Sequence, residues 1–594
     1  MDILERTGAR QHLSAAAITN ITDWLTKAKY TEYKDELTQL IEAGQWNVLE
    51  DSFFKVIEFG TAGRRGTTGV GSNRINRVTV GESAQALCEY VKQSDPEAPV
   101  KGIAIAYDTR LSSEELSRYV ASVCAANGFT TYIFESFRST PELSFAVREL
   151  GCAAGVVITA SHNPPADNGF KAYWNDGAQI APPHDKNMLE VASRVDEIKA
   201  IDFQKGVASG TIKLVGETLD DKYIKTIAAQ AEGSDRELRI VYSPLHGAGQ
   251  RNTLPCLQAA GFTDVRQVAE QMIPDGNFPT VENGRPNPED KIANARAVAQ
   301  MLAEEADIAI TNDPDADRFG IMVRQNDEAV YLSGNQAGAL ATEYILSKRQ
   351  FKGTLSEKQY VVKTIVTTDL MNAIAAHYGA TCYDNLLVGF KYIGKLIREK
   401  ESTDEEFVFG LEESFGGLKG DYARDKDGAT ASLPLAEYAA ELKKEGKTLW
   451  DQLLNLYQRY GLYYERLDNI VCPGARGFEE MQSMMQTIRT NPPKMLDEHR
   501  VTAVLDYSTL TRTELADSTS TSIDCESGNV VVLEFDDNPH RRITVRPSGT
   551  EPKIKVYVQW YEDASENIEE QYHSLDGKLE GFAMKLEGLL KEQD

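Results

Sequence analysis

The chain has 594 residues, a formal net charge of −27, 41% hydrophobic and 26% charged residues, and seven cysteines. Such a length exceeds one core and predicts about three to five domains. The acidic balance argues against nucleic-acid or anionic-membrane binding as the main role, because both need a basic face. The cysteines are scattered without a CxxC, the N-terminal MDILERTGARQH lacks an apolar core, and no apolar run nears the ~20 residues of a membrane span. Together these predict reduced thiols in a cytoplasmic protein without a signal peptide. The histidines lack HExxH or paired-ligand spacing, so no zinc site is expected.

Residues 1–50 read as an amphipathic helical extension, with Ile18, Ile21, Trp24, Leu25 and Ala28 on one face and Tyr33, Leu37, Leu40 and Ile41 on the next. Phe59 to Gly66 then frames Arg64 and Arg65 with glycines. A Gly-rich backbone lets N–H groups approach an anion, and arginine supplies forked donors. The spacing is not that of a dinucleotide loop, and a plain loop with solvated arginines is the alternative. A strand from Gly102 to Tyr107, a helix from Ser113 to Ala126 and a strand from Thr130 to Phe134 give an α/β alternation.

Gly155 to Trp174 reads as strand, tight loop, strand. The apolar run at Val156–Ile158 meets Thr159-Ala160-Ser161-His162-Asn163-Pro164, and Pro164 and Pro165 cannot continue the ladder. Ser161 is therefore expected at an exposed loop tip, carrying a phosphoryl group. A Ser–His hydrolase fits poorly, because adjacent side chains of an extended segment diverge and no GxSxG elbow is present. Helices are expected from there to about Gln230.

The next unit opens at Leu238–Tyr242. A three-proline loop spans Asp275–Asp290, a helix runs to Glu305, and a strand at Asp307–Thr311 delivers Asn312-Asp313-Pro314-Asp315-Ala316-Asp317-Arg318. Three carboxylates at alternate positions converge on one cation if the loop curls, and hard oxygen ligands suit Mg²⁺. An EF-hand is excluded by Arg318 at its sixth position and Arg324 at its twelfth. A DxD phosphatase nucleophile and a solvated acidic turn are the competing readings.

Further on, Val388-Gly389-Phe390-Lys391 precedes a helix, and a strand at Phe407–Phe409 leads to Gly410-Leu411-Glu412-Glu413-Ser414-Phe415-Gly416. Carboxylates and a hydroxyl between glycines suit sugar hydroxyls, or form an acidic surface turn. From Leu462 strands and helices alternate. Arg546-Pro547-Ser548-Gly549-Thr550-Glu551-Pro552, between two strands, has the composition of a phosphate cradle, and Asn567–Glu592 reads as one amphipathic helix.

TASHNP, DPDADR, LEESFG and RPSGTEP in this order resemble the α-D-phosphohexomutase family over roughly Phe53 to Tyr561. The resemblance implies three related α/β domains plus a smaller C-terminal α+β domain around a central cleft. The corresponding spans are 1–50 for the helical extension, 51–230 for the phosphoserine domain, 231–328 for the Mg-binding domain, 329–460 for the sugar-recognition domain and 461–594 for the phosphate-binding domain. It implies a phosphoserine at Ser161 and Mg²⁺ on Asp313, Asp315, Asp317 and that phosphate. A sugar loop at Glu412 and Ser414 and a distal phosphate site at Arg546, Ser548, Gly549 and Thr550 are implied as well. By position, Arg65, His162, Lys171, Arg318 and Lys391 match family residues near the reacting phosphate or the sugar.

The implied activity interconverts hexose 1-phosphate and hexose 6-phosphate, as in phosphoglucomutase or phosphomannomutase, with glucose 1,6-bisphosphate as activator and sugar phosphates as the only partners of a monomer or dimer. DPDADR in place of DGDGDR, and FGTAG in place of GTSG, resemble the longer branch of the family. That branch is also similar to phosphopentomutase and glucose-1,6-bisphosphate synthase.

Overall fold

The computed structural model describes residues 3–58, 63–472, 477–548 and 553–591. The N-terminal helices, including Ala15–Thr26, Lys34–Glu42 and Trp46–Phe53, bury Ile18, Ile21, Trp24, Leu37, Leu49 and Phe53 in a small core shared with Val70 and Val78 of the first α/β unit.

Three sheets with helices packed on them follow, and they share one topological device. In the first, β1 (Arg64–Thr67), β2 (Ile103–Tyr107), β3 (Thr131–Phe134), β4 (Ala154–Ile158), β5 (Asp167–Trp174) and β6 (Ile212–Val215) lie in the order β1-β5-β4-β2-β3-β6. The second contains β7 (Ile240–Ser243), β8 (Val265–Gln267), β9 (Ile308–Asn312), β10 (Phe319–Gln325) and β11 (Glu328–Leu332) in the order β11-β10-β9-β7-β8. The third has β12 (Gln359–Lys363), β13 (Thr381–Tyr383), β14 (Glu406–Glu412) and β15 (Gly416–Lys419) in the order β13-β12-β14-β15.

In each sheet a buried strand runs parallel to a central neighbour and then turns back on itself: β4 beside β2, β9 beside β7, β14 beside β12. The antiparallel returns are β5, β10 and β15. The three turns therefore sit at the carboxyl ends of parallel strands, where open α/β sheets collect their ligand loops. They are the Ser161 loop, the Asp-rich loop and the Glu412–Ser414 loop.

The fourth sheet is antiparallel. Its strands are β16 (Leu462–Val471), β17 (Met495–Leu496), β18 (His499–Asp506), β19 (Thr511–Glu514), β20 (Ser520–Ser522), β21 (Val531–Phe535), β22 (Asn538–Pro547) and β23 (Lys553–Glu562), and β16-β23-β22-β21-β18-β19-β20 is the main path. The strand–helix alternation expected from Leu462 is thus confined to one helix, Gly477–Thr490, between β16 and β17.

Several strands were not legible in the sequence, among them β6 and β11. β6 pairs parallel with β3 at a sheet edge and exposes two of its four residues, Lys213 and Leu214, so it shows no apolar run. β11 carries the second sheet through Leu332, because Glu328–Leu332 pairs in register with β10. The expected C-terminal helix is two, Ile568–Leu579 and Phe582–Lys591, separated at Glu580-Gly581, where Gly581 takes φ 86°. Among the described residues no helix is long and apolar enough to cross a membrane.

Candidate active site

The Ser161 loop is not an exposed tip. Ser161 is 2% exposed and adopts φ 53°, a left-handed conformation that L-residues rarely take. Its N–H is held by Thr159 Oγ1 at 2.8 Å, and Thr159 in turn donates to Asp108 Oδ2 at 2.6 Å. The same turn overturns the expectation that adjacent side chains diverge: Ser161 Oγ lies 3.2 Å from His162 Nδ1. The hydroxyl is drawn inward because it donates to Asp313 Oδ2 at 2.6 Å, across the boundary between the first and second sheets.

Arg110 organises this loop, a role not read from the sequence. Its guanidinium donates to the carbonyls of Ser161 at 2.6 Å, Pro164 at 2.7 Å and Asp167 at 2.9 Å, and also to the carbonyl of Asn163. Asp108 sits 3.3 Å from its Nε, and the Phe278 ring of the second unit covers it at 5.2 Å. The available signal was Asp108-Thr109-Arg110 at the end of a buried strand.

Asp313, Asp315 and Asp317 are 0–1% exposed, and oxygens from all three lie within 4.8 Å of one another. Ala316 at φ 53° supplies the curl that brings alternate carboxylates together. Thr140 donates to Asp315 Oδ2 at 2.8 Å, and Lys171 Nζ lies 2.9 Å from the same oxygen and 3.7 Å from Asp317. Burial opposes ionisation of Asp315, yet Lys171 and Thr140 outweigh it and hold that carboxyl below the usual carboxylate range. Burial, with Asp315 and Asp317 alongside, pushes Asp313 well above it.

The helix Gly428–Lys444 begins against this loop, and Gly428 N–H donates to the Ala316 carbonyl at 3.1 Å. A Cβ at Gly428 would stand 2.4 Å from Asn312 Nδ2, so only glycine allows the approach. The test for a metal lies in the donors themselves. Asp315 Oδ1 and Asp317 Oδ1 are buried without a hydrogen-bond partner, which is costly for a carboxylate oxygen unless a cation takes it. Converging hard oxygens suit a divalent ion such as Mg²⁺. Among the described residues no other His, Cys, Asp and Glu cluster has this form.

A cleft of about 740 Å³ opens above the triad, lined from all four sheets. Ser161, His162, Lys171 and Arg65 come from the first; Asp317, Arg318, Arg285 and Glu289 from the second; Lys391, Glu412, Glu413, Ser414 and Lys426 from the third; Arg546, Lys553, Lys555 and Tyr557 from the fourth. Eleven Lys and Arg side chains face six carboxylates there, so the cleft is locally cationic inside an acidic chain.

Arg65 Nη1 lies 3.5 Å from Asn163 Oδ1, and Arg318 reaches Glu289 at 3.3 Å. Burial, with Arg318 and Arg65 nearby, pushes the His162 ring well below the usual imidazole range. Glu412 is buried and accepts the Gly389 N–H at 2.9 Å, which ties the sugar-loop candidate to the turn that presents Lys391. Lys391 Nζ is 3.5 Å from Asp185, and burial lowers its pKa.

Lys426, also without a role in the sequence reading, lies 3.2 Å from Asp317 and 3.1 Å from Asp425; despite burial these carboxylates hold it charged. Tyr173 and Gln179 fix Asp425 from the first unit, at 2.7 and 2.8 Å. Ser548 does not line the cleft; its N–H donates to the Lys553 carbonyl at 2.8 Å, where β22 and β23 meet. Gly549 and Thr550, and residues 59–62, lie outside the described residues.

Known proteins share this plan. The family descriptions of phosphoglucomutase/phosphomannomutase α/β/α domain I match residues 56–199, domain II 221–326 and domain III 333–460, and the C-terminal domain matches 523–570. A phosphoglucomutase of Staphylococcus haemolyticus (strain JCSC1435) is 33% identical over 557 residues, 92% of this chain and 98% of that protein. One of Staphylococcus aureus (strain MSSA476) is 35% identical over 543 residues, 90% and 94% of the two chains. At the level of fold, the open form of the Paramecium phosphoglucomutase pp63/parafusin superposes with TM-score 0.65 at 17% identity, covering 89% of this chain and 95% of that one. A phosphoglucomutase/phosphomannomutase family protein from Burkholderia thailandensis gives 0.61 at 17% identity, covering 88% and 97%.

Proposed function

This chain belongs to the phosphoglucomutase/phosphomannomutase family of isomerases, and from that premise we propose that it interconverts hexose 1-phosphate and hexose 6-phosphate through a phosphoserine at Ser161 and a hexose 1,6-bisphosphate intermediate. The observation that carries the reading is Ser161 Oγ at 2.6 Å from Asp313, beside the buried triad and opposite a cationic wall.

Asp313, Asp315, Asp317 and an oxygen of the Ser161 phosphoryl group would hold Mg²⁺. That ion, when bound, supplies positive charge to the phosphoryl oxygens. The chain's own residues do the rest. Arg65, Arg318 and Lys426 line the same end of the cleft and balance charge on the group in flight. The attacking sugar oxygen bonds to phosphorus as the Ser161 Oγ–P bond breaks, and the sugar's hydroxyl proton passes through Lys171 or His162 to Ser161 Oγ. Glu412 and Ser414 bind sugar hydroxyls, while Arg546 and Lys555 hold the phosphate that is not reacting. The bisphosphate then turns over in the cleft, and its other phosphate returns to Ser161. Glucose 1,6-bisphosphate recharges Ser161 whenever the intermediate escapes.

The test is turnover with Mg²⁺ and a trace of glucose 1,6-bisphosphate, on glucose 1-phosphate, mannose 1-phosphate and ribose 1-phosphate in parallel. The expected result is isomerisation of hexose phosphate, phosphate on the peptide containing Ser161, and a loss of at least ~10³-fold in Ser161→Ala. Undiminished turnover by Ser161→Ala sinks the phosphoserine, and a clear ribose preference moves the substrate to pentose phosphates.

A further inference from the structure

A buried carboxylate, Asp369, is one of the ties between the fourth sheet and the third, beside the Tyr507–Asn385 and Lys395–Glu526 contacts of the flanking loops. Asp369 stands in the loop after β12, as Asp108 stands in the loop after β2, and its side chain is 6% exposed. Arg542 of β22 grips both of its oxygens, with Nη1 2.8 Å from Oδ2 and Nη2 2.8 Å from Oδ1. Lys363 Nζ lies 2.9 Å from Oδ1, and His540 Nδ1 lies 2.8 Å from Oδ2. Burial works against this carboxylate, but Arg542 and Lys363 outweigh it and hold Asp369 well below the usual range. Arg542 Nε continues to Gln559 Oε1 at 3.0 Å, and Gln559 Nε2 donates to the Thr367 carbonyl at 3.0 Å.

The register links this cluster to the cleft. Arg542 pairs with Gln559 and Arg546 with Lys555 on the neighbouring strands β22 and β23. Side chains alternate along a strand, so Arg542 and Arg546 share a face, as do Lys555, Tyr557 and Gln559. Along that face the Asp369 fork lies at one end. Tyr557 clusters with Ile365, Val366 and Leu387 in the middle, and Arg546 and Lys555 enter the cleft at the other end. About 13 Å of strand separates the fork from Arg546. Apolar packing keeps the two sheets in contact without fixing their angle, whereas a two-point fork between planar groups fixes orientation as well as distance.

We propose that Asp369 and Arg542 are positioning residues whose fork sets the pose of the β22–β23 hairpin, and thereby the reach of Arg546 and Lys555 across the cleft toward Ser161. What the cleft end binds rests on the mutase reading above; the fork itself rests on geometry alone.

The test uses the full chain with Asp369→Asn, which keeps the volume, and Arg542→Lys, which keeps the charge and loses the fork. The distal phosphate is held in ground and transition state alike, so its misplacement raises KM more than it lowers kcat. Asp369→Asn is expected to raise KM for the hexose 1-phosphate about tenfold with kcat within about threefold, and Arg542→Lys to raise KM about threefold. Amide exchange quickens in 538–547 and 553–562 and stays unchanged in 154–174. A KM within twofold of the parent in both variants overturns the proposal, as does exchange that quickens in all four sheets together, which marks general destabilisation. If the parent enzyme turns over no hexose phosphate, the mutase reading fails, and exchange confined to β22–β23 or spread over every sheet still decides the fork.

Discussion

The two ends of the cleft are built in opposite ways. At the Ser161 end the working groups are almost wholly buried, and bonds between separate units fix them: Ser161 to Asp313, Thr140 and Lys171 to Asp315, Lys426 to Asp317. At the far end Arg546 and Lys553 are only partly buried, on two neighbouring strands of a sheet whose attachments to the third unit include an apolar cluster and the Asp369 fork. Each end nonetheless uses the same part, a buried aspartate after a central strand gripping an arginine: Asp108 with Arg110 and Asp369 with Arg542. The difference teaches where preorganisation is needed. Charge that develops during phosphoryl transfer is best stabilised by groups that need not reorganise. On the proposed mutase reading, a subsite that takes hold of either phosphate of a bisphosphate intermediate gains from a looser attachment.

The comparison breaks first at the metal. Chelation of divalent ions should lower turnover about 10³-fold with recovery on adding Mg²⁺, and Asp315→Asn should cause a similar loss without recovery. Activity that survives both would remove the triad from the chemistry.

Next comes Arg110→Met, which removes the guanidinium from four loop carbonyls and leaves the buried Asp108 without its cationic partner. It should cost about 3–5 kcal/mol in denaturant unfolding. It should also cost about 10²-fold in kcat. Normal kcat in folded protein would show that the strained Ser161 turn holds itself.

At the far end Arg546→Gln should raise KM about tenfold and leave kcat nearly intact, so the same class of change reads out in kcat at one pole and in KM at the other. A kcat collapse with unchanged KM would assign Arg546 to the reacting pole.

The smallest effect concerns protons. Burial and the neighbouring Glu412 push Glu413 up to about 7. Its folded pKa lies above its unfolded one, so the folded state binds the extra proton, and stability falls as pH rises from about 4.5 through about 7. The expected loss is about 1 kcal/mol after screening, and Glu413→Gln should remove it. A Tm profile identical in parent and variant over this window would discard the assignment.

How much of this was legible in the sequence depends on distance along the chain. TASHNP, DPDADR and LEESFG are each contiguous, each fills a turn between two apolar strands, and the residues alone placed Ser161, the three aspartates and Glu412 on loops. β6 and β11 escaped notice because edge strands need not be apolar on both faces. Arg110, Thr140, Lys426 and the Asp369–Arg542 fork were not legible as functional because their partners lie far off, Asp369 and Arg542 being 173 residues apart. Local pattern reports what a residue does to its own strand or turn. It carries no record of which distant carbonyl or carboxylate that residue will meet.

The sequence by itself thus determined the set of chemical groups and the loops that carry them, since turn chemistry and strand periodicity act within a few residues. Tertiary structure alone decided that Ser161 turns inward with a left-handed backbone, that oxygens of three buried aspartates come within 4.8 Å of one another, and that an arginine on the fourth sheet is clamped by the third. Those outcomes depend on burial and on contacts between units, and burial is what turns a carboxylate or a guanidinium from a solvated charge into a directional constraint.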